Sequence, residues 1–122
     1  MYFVSGIQGQ GEQGEFITYD EFTKVDLKVG KVTQAENIQG MKKVMKVNVD
    51  IGDEKRSLAV GAAIHYKPEE LIGKYVVVCT NLEPKKIGGM ISNGMLLAAE
   101  GPSGKPVFVT IAEEVPCGSV IH

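Results

Sequence analysis

Basic side chains occur in pairs at two points of this chain, and phosphate binding is the chemistry that such pairs support. Lys42-Lys43 follows one turn-forming segment, and Lys85-Lys86 precedes two successive glycines. A lysine ammonium group binds phosphate as a point charge, so its exact rotamer matters little. Either pair alone is also what an ordinary solvated loop contains. The interpretation therefore depends on whether the fold brings the two pairs together.

Other chemistry has little support in the sequence. His65 and His122 have no sequence-evident acid or nucleophile as partner, and two lone histidines do not make a metal site. The carboxylates Glu69-Glu70 and Glu113-Glu114 are adjacent pairs, which is typical of surface charge rather than of a two-carboxylate site. Phosphate-loop and nucleophile-elbow motifs do not occur. We expect no catalytic residues, no metal and no cofactor, and a protein that is not an enzyme.

The amino-acid composition further restricts the class of protein. The 122 residues suffice for one hydrophobic core, and 43% hydrophobic with 23% charged residues is typical of folded globular domains. The net charge is −2, so a phosphate site has to be local. Cys79 and Cys117 have neither metal spacing nor the density of a disulfide scaffold, and no apolar run could span a bilayer. We expect a cytoplasmic protein with reduced cysteines and no membrane contact.

The chain divides into a tail and one domain. Residues 1–15 are rich in Gly, Gln and Glu, which predicts a flexible tail because ordering them would bury almost nothing. The domain is predicted to cover residues 16–122. It opens with the capping box Thr18-Tyr-Asp-Glu21, which predicts one short helical turn.

Strand patterns dominate the rest of the chain. Alternating apolar and polar residues, or continuous β-branched runs, predict strands, and Pro68 with two following glutamates predicts a short helix. Gly52-Asp53 predicts a hairpin between the second and third strands. The predicted strands cover residues 25–32, 45–51, 56–60, 75–80, 91–99 and 107–111, the helix covers 67–72, and residues 81–90 form a loop.

Three strands, a helix and two further strands is the order of the five-stranded OB-fold Greek-key barrel. We therefore predict an all-β OB barrel with short helices and a C-terminal strand extension. In such barrels the ligand lies across strands 2 and 3 and touches the loops that join strands 1–2 and 4–5. The two lysine pairs fall on these two loops. The same surface is expected to carry Lys46, Asn48 and Arg56, which offer donors to phosphate, sugar or base edges.

Two features of this surface have alternative interpretations. Gly88 and Gly89, followed by Ser92-Asn93-Gly94, would let a backbone approach a ligand closely, but any mobile hairpin loop has the same composition. Tyr66 and Tyr75 are candidate platforms for stacking bases, or else rim and core residues of the barrel.

Several ordered segments resemble the tRNA-binding domain family, which includes appendages of methionyl-tRNA synthetases and the CsaA-like bacterial proteins. The resemblance spans about residues 17 to 121. It implies an OB barrel, commonly a homodimer, that binds tRNA largely by shape and backbone, alone or beside an aminoacyl-tRNA synthetase. The segments that carry it are Phe22-Thr-Lys-Val-Asp-Leu-Lys-Val-Gly30, Lys46-Val-Asn-Val-Asp-Ile-Gly52, Pro68-Glu-Glu-Leu-Ile-Gly73, Asn81-Leu-Glu-Pro84 and Ser92-Asn-Gly-Met-Leu-Leu-Ala-Ala99.

The resemblance also implies site residues and shows departures. The tRNA-facing positions of the family map to Lys85, Lys86, Ser92, Asn93 and Met95, with Lys42, Lys43 and Arg56 on the neighbouring surface. Gly88 stands where a basic residue is frequent, Ile91 where an acidic residue is frequent and Val60 where a serine is frequent. These departures remove a charge and polar contacts from the expected site.

The CsaA branch suggests a second function of another class. A chaperone-like or peptide-binding protein would use an apolar groove, for example at a dimer interface, lined by adaptable methionine side chains. The candidates are Met41, Met45, Met90 and Met95, which are equally suited to filling a core.

Overall fold

A computed structural model of the protein describes residues 15–122. The predicted tail, apart from Glu15, lies outside the described residues. The helices are α1 (Tyr19–Phe22) and α2 (Pro68–Leu71), with a 3-10 turn at Pro102–Gly104. The strands are β1 (Leu27–Asn37), β2 (Met45–Asp50), β3 (Lys55–Val60), β4 (Tyr75–Cys79), β5 (Lys85–Ile87), β6 (Met90–Ser92), β7 (Met95–Leu96), β8 (Ala98–Glu100), β9 (Pro106–Phe108) and β10 (Val120–Ile121).

Both predicted short helices are present. The Thr18 hydroxyl accepts a hydrogen bond from the Glu21 amide at 3.1 Å, and the Glu21 carboxylate accepts one from the Thr18 amide at 2.9 Å. The capping box therefore starts α1 as the sequence predicts. In α2, Pro68 occupies the first turn and Glu70 accepts a hydrogen bond from the Lys67 amide at 2.7 Å.

The main sheet has the strand order β3-β2-β1-β4-β7, with β10 added to the start of β1, and its pairs are antiparallel. A register shift between Val32 and Gln34 bends the long strand β1, so that it can pair with both β2 and β4. The sheet curls until the Asn93 amide donates to the Ser57 carbonyl of β3 at 3.0 Å. The predicted all-β OB-like barrel is confirmed.

The core lies inside this curled sheet. Side chains that point inward from β1, β2, β3 and β4 fill it. Leu71 of α2, which is only 2% exposed, packs into the same core. The largest fully buried side chains include Met45, Ile51, Leu58, Leu71, Val29, Val32, Val47 and Val49.

The structure corrects several strand bounds. The first strand, predicted over residues 25–32, runs from Leu27 to Asn37. The predicted loop 81–90 contains a hairpin, in which β5 pairs with β6. The predicted strand 91–99 is divided among β6, β7 and β8, because Gly94 adopts a φ of +134° and breaks the run. The predicted strand 107–111 is shorter and pairs with β8 as Pro106–Phe108.

The remaining expectations concern the cysteines and the membrane. Cys79 is buried and Cys117 is partly buried, and both are free thiols. Across residues 15–122, no helix is both long and apolar enough to cross a bilayer.

Candidate nucleic-acid interface

The two lysine-bearing loops meet at one point of the barrel. Gly88, at the tip of the β5–β6 hairpin, lies against Met41 of the β1–β2 loop so closely that a Cβ atom on Gly88 would collide with the Met41 sulfur. Lys42 and Lys43 follow Met41 directly, and both side chains are exposed. The contact between the loops therefore places Lys42 and Lys43 next to the hairpin that carries Lys85 and Lys86.

Lys85 and Lys86 are neighbours in β5, so their side chains point to opposite faces of the hairpin. Lys85 pairs with Ser92 across the hairpin, whereas Lys86 pairs with Ile91. Paired residues share a face, so Lys85 lies on the same face as the buried Ser92, and Lys86 lies on the outer face beside Ile91, which is 62% exposed. Both lysines are exposed, but they serve opposite faces of the hairpin.

Ser92 fixes the hairpin to the barrel. Its side chain is buried, and its hydroxyl accepts a hydrogen bond from the Ala59 amide of β3 at 2.9 Å and donates to the Gly94 carbonyl at 3.3 Å. The backbone amide of the next residue, Asn93, also donates a hydrogen bond to the Ser57 carbonyl of β3. In this structure the Ser92 hydroxyl holds the hairpin rather than facing solvent.

Arg56 is occupied by internal partners in the same way. Its guanidinium donates to the carbonyls of Thr80 at 2.5 Å and Asn93 at 3.5 Å, and it forms a two-point ion pair with Glu54. The Arg56 side chain is only 16% exposed. Arg56 therefore ties β3 to the end of β4 and to the turn after the hairpin, and acts as a positioning residue for the surface.

The ion pair also changes the acidity of its carboxylate. A hydrogen bond from Arg56, and then the positive charge of Arg56, hold the pKa of Glu54 below its ordinary value. Glu54 is exposed, so this carboxylate stays ionised and cancels part of the Arg56 charge near neutral pH.

Neutral side chains form a hydrogen-bonded ladder across the outer face of the sheet. The Ser57 hydroxyl donates to the Asn48 side-chain carbonyl at 2.8 Å, and the Asn48 amide donates to the Gln34 side-chain carbonyl at 2.7 Å. The register places these residues opposite one another on β3, β2 and β1. The ladder leaves the Gln34 amide group and a second Asn48 N–H available to a ligand.

Lys46 precedes the ladder on the same face of β2, opposite Glu36 of β1. Among residues 15–122, none of the loop lysines nor Lys46 lies within 4.0 Å of a carboxylate. Met95 is half exposed on β7, next to Cys79 of β4. The surface thus combines lysines that form no ion pair within 4.0 Å with fixed neutral donors. The described residues include no group of three His, Cys, Asp or Glu side chains that could hold a metal ion.

A family model described as "Putative tRNA binding domain" matches residues 27–120, which is most of the chain. The chain belongs to the tRNA-binding domain family. Curated relatives of this family member include the methionine–tRNA ligase of Methanocaldococcus jannaschii, 44% identical over 92% of this chain, and that of Thermococcus kodakarensis, 48% identical over 93%. The chain spans only 17% and 15% of the lengths of these two enzymes.

Solved structures of similar proteins match over almost their whole length. The MetRS-related protein from Pyrococcus horikoshii is 44% identical, with a TM-score of 0.83 over 88% of this chain and 99% of that one. The chaperone CsaA from Bacillus anthracis is 27% identical, with a TM-score of 0.80 over 88% of this chain and 100% of that one. The OB barrel of the tRNA-binding domain family is therefore the fold of this chain.

The three departures from the family pattern have different surroundings. Val60 is buried in the core, opposite Met45, so its side chain does not face the surface. Gly88 makes the contact with Met41 described above, and Ile91 presents an apolar side chain on the hairpin. Only Ile91 replaces a polar group with an exposed apolar one.

Two site features could not be read from single residues. The ladder needs the register of three strands, although the outward positions of Asn48 and Ser57 were a usable signal. The internal roles of Ser92 and Arg56 depend on partners 33 and 24 residues away in sequence. Of the four methionines, Met45 is fully buried in the core and cannot line a groove, whereas Met41 packs on Gly88 of the hairpin.

Proposed function

We propose that this protein binds tRNA across the outer face of β2 and β3, between the β1–β2 loop and the β5–β6 hairpin. The observation that carries the proposal is the contact of Gly88 with Met41, which joins two lysine-bearing loops at one surface. Membership in the tRNA-binding domain family supports the ligand class. Phosphate contacts supply affinity and orientation without reading sequence, so recognition is largely of shape and backbone.

The roles of the candidate residues follow from their surroundings. The exposed lysines Lys42, Lys43, Lys85 and Lys86 and the partly buried Lys46 contact phosphates, and Asn48 contributes neutral donors through the ladder. Asn93 and Met95 border the surface next to the hairpin, while Ser92 and Arg56 position it. In this proposal the chain acts as a cytoplasmic binding module and not as a catalyst, alone or beside a synthetase of the methionyl type. The identity to methionine–tRNA ligases supports that choice of partner.

The test compares total tRNA with a length-matched DNA duplex at two salt concentrations. With three to five phosphate contacts, the logarithm of the tRNA affinity should fall against the logarithm of salt concentration with a slope of roughly −2 to −5. The double variant Lys85→Glu/Lys86→Glu should lose most of the affinity. A flat salt dependence of the wild type would contradict the proposal.

A control of equal charge uses two lysines away from the two loops, the exposed Lys24 and Lys28, which is ion-paired with Asp26. Lys24 and Lys28 lie before and at the start of β1, whereas the β1–β2 loop follows Asn37 at its far end. The variant Lys24→Glu/Lys28→Glu changes the net charge by the same amount. It should keep much more tRNA affinity than the hairpin variant, and equal losses would mean that net charge alone governs binding.

We further propose that the protein is a homodimer. Several apolar side chains before β1 are exposed, including Phe16 at 84%, Tyr19 at 74% and Ile17 at 66%, and Val120 of β10 adds another at 62%. Exposed apolar groups of this size favour an interface with a second copy. Sedimentation velocity should give a dimer at micromolar concentration, and Ile17→Asp/Tyr19→Asp should give a monomer. A wild-type monomer would refute this part.

The CsaA likeness supports a second candidate, a chaperone-like activity on unfolded clients. The burial of Met45 weakens it, because one of the four candidate methionines cannot reach a client. The hairpin variant Lys85→Glu/Lys86→Glu distinguishes the two functions, because suppression of client aggregation should persist in this variant if it uses another surface. Loss of both activities together would leave no separate chaperone function.

A further inference from the structure

Tyr66 lies two residues before α2, and its ring is held in one position against the core. Its hydroxyl donates to the Pro106 carbonyl at 2.8 Å, and its ring lies against Phe108 with 5.5 Å between ring centroids. Both aromatic residues also pack against the core. The position of the Tyr66 ring is therefore fixed by a hydrogen bond and by packing on two sides.

Two lysines from distant segments lie over this one ring. The Lys105 ammonium group is 5.1 Å from the Tyr66 ring centroid, and the Lys74 ammonium group is 5.9 Å from it. Lys74 precedes β4, and Lys105 lies in the connection between β8 and β9. Each is within the range of a cation–π contact, which restricts the lysine side chain without neutralising it.

These two charges have no acidic partner. Within residues 15–122, the ion pairs closer than 4.0 Å are Lys28 with Asp26 and Arg56 with Glu54. Two ammonium groups gathered on one ring without a carboxylate repel each other and raise the local potential. An anion that contacts either ammonium group would lower this local potential.

A third lysine, Lys31, makes the same kind of contact with the neighbouring tyrosine, Tyr75. Tyr75 directly follows Lys74, and the Lys31 ammonium group lies 5.5 Å from the Tyr75 ring centroid. Lys31 and Tyr75 are cross-strand partners of β1 and β4. Basic and aromatic side chains thus alternate around this end of the barrel, a combination that nucleic-acid-binding surfaces use.

Lys74, Lys105 and Tyr66 form the Tyr66 cluster, and the β1–β2 loop with the β5–β6 hairpin forms the loop surface. Backbone hydrogen bonds connect the two. The Ala63 amide donates to the Lys43 carbonyl at 3.1 Å, and the Tyr66 amide donates to the Ala62 carbonyl at 3.0 Å. The end of the β1–β2 loop is therefore bonded to the segment that carries Tyr66. A polyanion that leaves the loop surface past Lys43 reaches this segment next.

We propose that Lys74 and Lys105, held over Tyr66, form a second contact site for the phosphate backbone of the bound RNA. The inference rests on the proposed tRNA-binding function and extends it to a surface outside the two loops. Phosphate rather than a base is the ligand, because lysines already lie over the half-buried ring and leave it poorly placed for stacking. Lysines that the ring has partly ordered lose less side-chain entropy on binding.

The experiment measures tRNA affinity against salt for the full chain and for Lys74→Gln/Lys105→Gln. Loss of two phosphate contacts should weaken binding and make the log–log salt slope shallower by about 1.5 to 2. The variant Lys74→Arg/Lys105→Arg should keep the wild-type affinity and slope, because arginine retains the charge and the cation–π contact. Both variants should remain folded, since the hydrogen bonds of these two residues are made by their backbones, and the Gln variant should lose only the cation–π contacts.

The control variant Lys24→Gln/Lys28→Gln removes the same charge elsewhere. An equal change of slope in this control, or an unchanged slope in the Lys74→Gln/Lys105→Gln variant, would overturn the second site. If that variant keeps its slope while Lys85→Glu/Lys86→Glu abolishes binding, the inference fails and the proposed function stands. A wild type that does not bind tRNA at low salt would refute both.

Discussion

The loop surface and the Tyr66 cluster both present lysines without acidic partners, but the fold positions them in different ways. At the loop surface the backbone is held, through Ser92 and Arg56, while the lysine side chains extend freely. At the cluster, a fixed ring orders the side chains themselves. We therefore expect affinity at the loop surface to depend on the internal anchors, and affinity at the cluster to depend on lysine charges that the Tyr66 ring holds in place.

The largest loss of stability and of tRNA affinity at the loop surface is expected from Arg56→Met. The change leaves the Thr80 and Asn93 carbonyls without the Arg56 donor, and hydrogen bonds to charged groups contribute roughly 1.5 to 3 kcal/mol each. Urea denaturation should show a loss of about 2 kcal/mol in the free energy of unfolding, together with weaker tRNA binding. The exposed neighbour is the control, because Lys55→Met should stay within about 0.5 kcal/mol of wild type. An unchanged stability of Arg56→Met would show that its bonds do not hold the hairpin.

A smaller effect is expected when the two loops are pushed apart. Gly88→Ala places a methyl group against the Met41 sulfur and also forces alanine into a φ of +57°. Gly89→Ala is the matched control, since it has a φ of +82° but open space around the added Cβ. Both should lose about 1 kcal/mol to backbone strain, and only Gly88→Ala should also weaken tRNA binding.

The contact with Met41 can then be tested directly in a double-mutant cycle. Met41→Ala should restore part of the tRNA affinity lost in Gly88→Ala, because it removes the group that the new methyl meets. Additive effects of the two substitutions would mean that the loops do not depend on each other.

The smallest effect concerns the acidity of Glu54. Its pKa in the folded protein is lowered from the ordinary 4.5, so the ion pair stabilises the fold above that value and its contribution is lost as pH falls through the lowered pKa. In Arg56→Met, an NMR titration should show the Glu54 pKa returning toward 4.5. An unchanged titration in that variant would mean that Arg56 is not the cause.

Much of the fold could be predicted from the sequence because its signals are local. The alternation in β2 and β3 is set by side-chain direction along a strand, and the α1 capping box joins residues three apart. The hairpin β5–β6 escaped prediction because each strand has only three residues and two glycines lie between them. A strand so short carries no periodicity that can be distinguished from a loop.

The candidate site was predicted only in part, for a related reason. Exposed lysines in loops can be recognised from composition and position, and the structure does bring the two loops together. Ser92 and Arg56 were expected to face the ligand, but their polar groups bond inward. A hydroxyl or a guanidinium has the same sequence signature in either direction, so only the position of its partner decides.

The sequence by itself determined the barrel, its charge pattern and its family, because hydrophobic alternation and ordered motifs are properties of neighbouring residues. The tertiary structure decided which polar groups remain available to a ligand. It joined Ser92 to Ala59, Arg56 to Thr80 and Lys105 to Tyr66 across long stretches of chain. Hydrogen bonds and charge contacts act over a few ångströms in space, and closure of the barrel sets those distances.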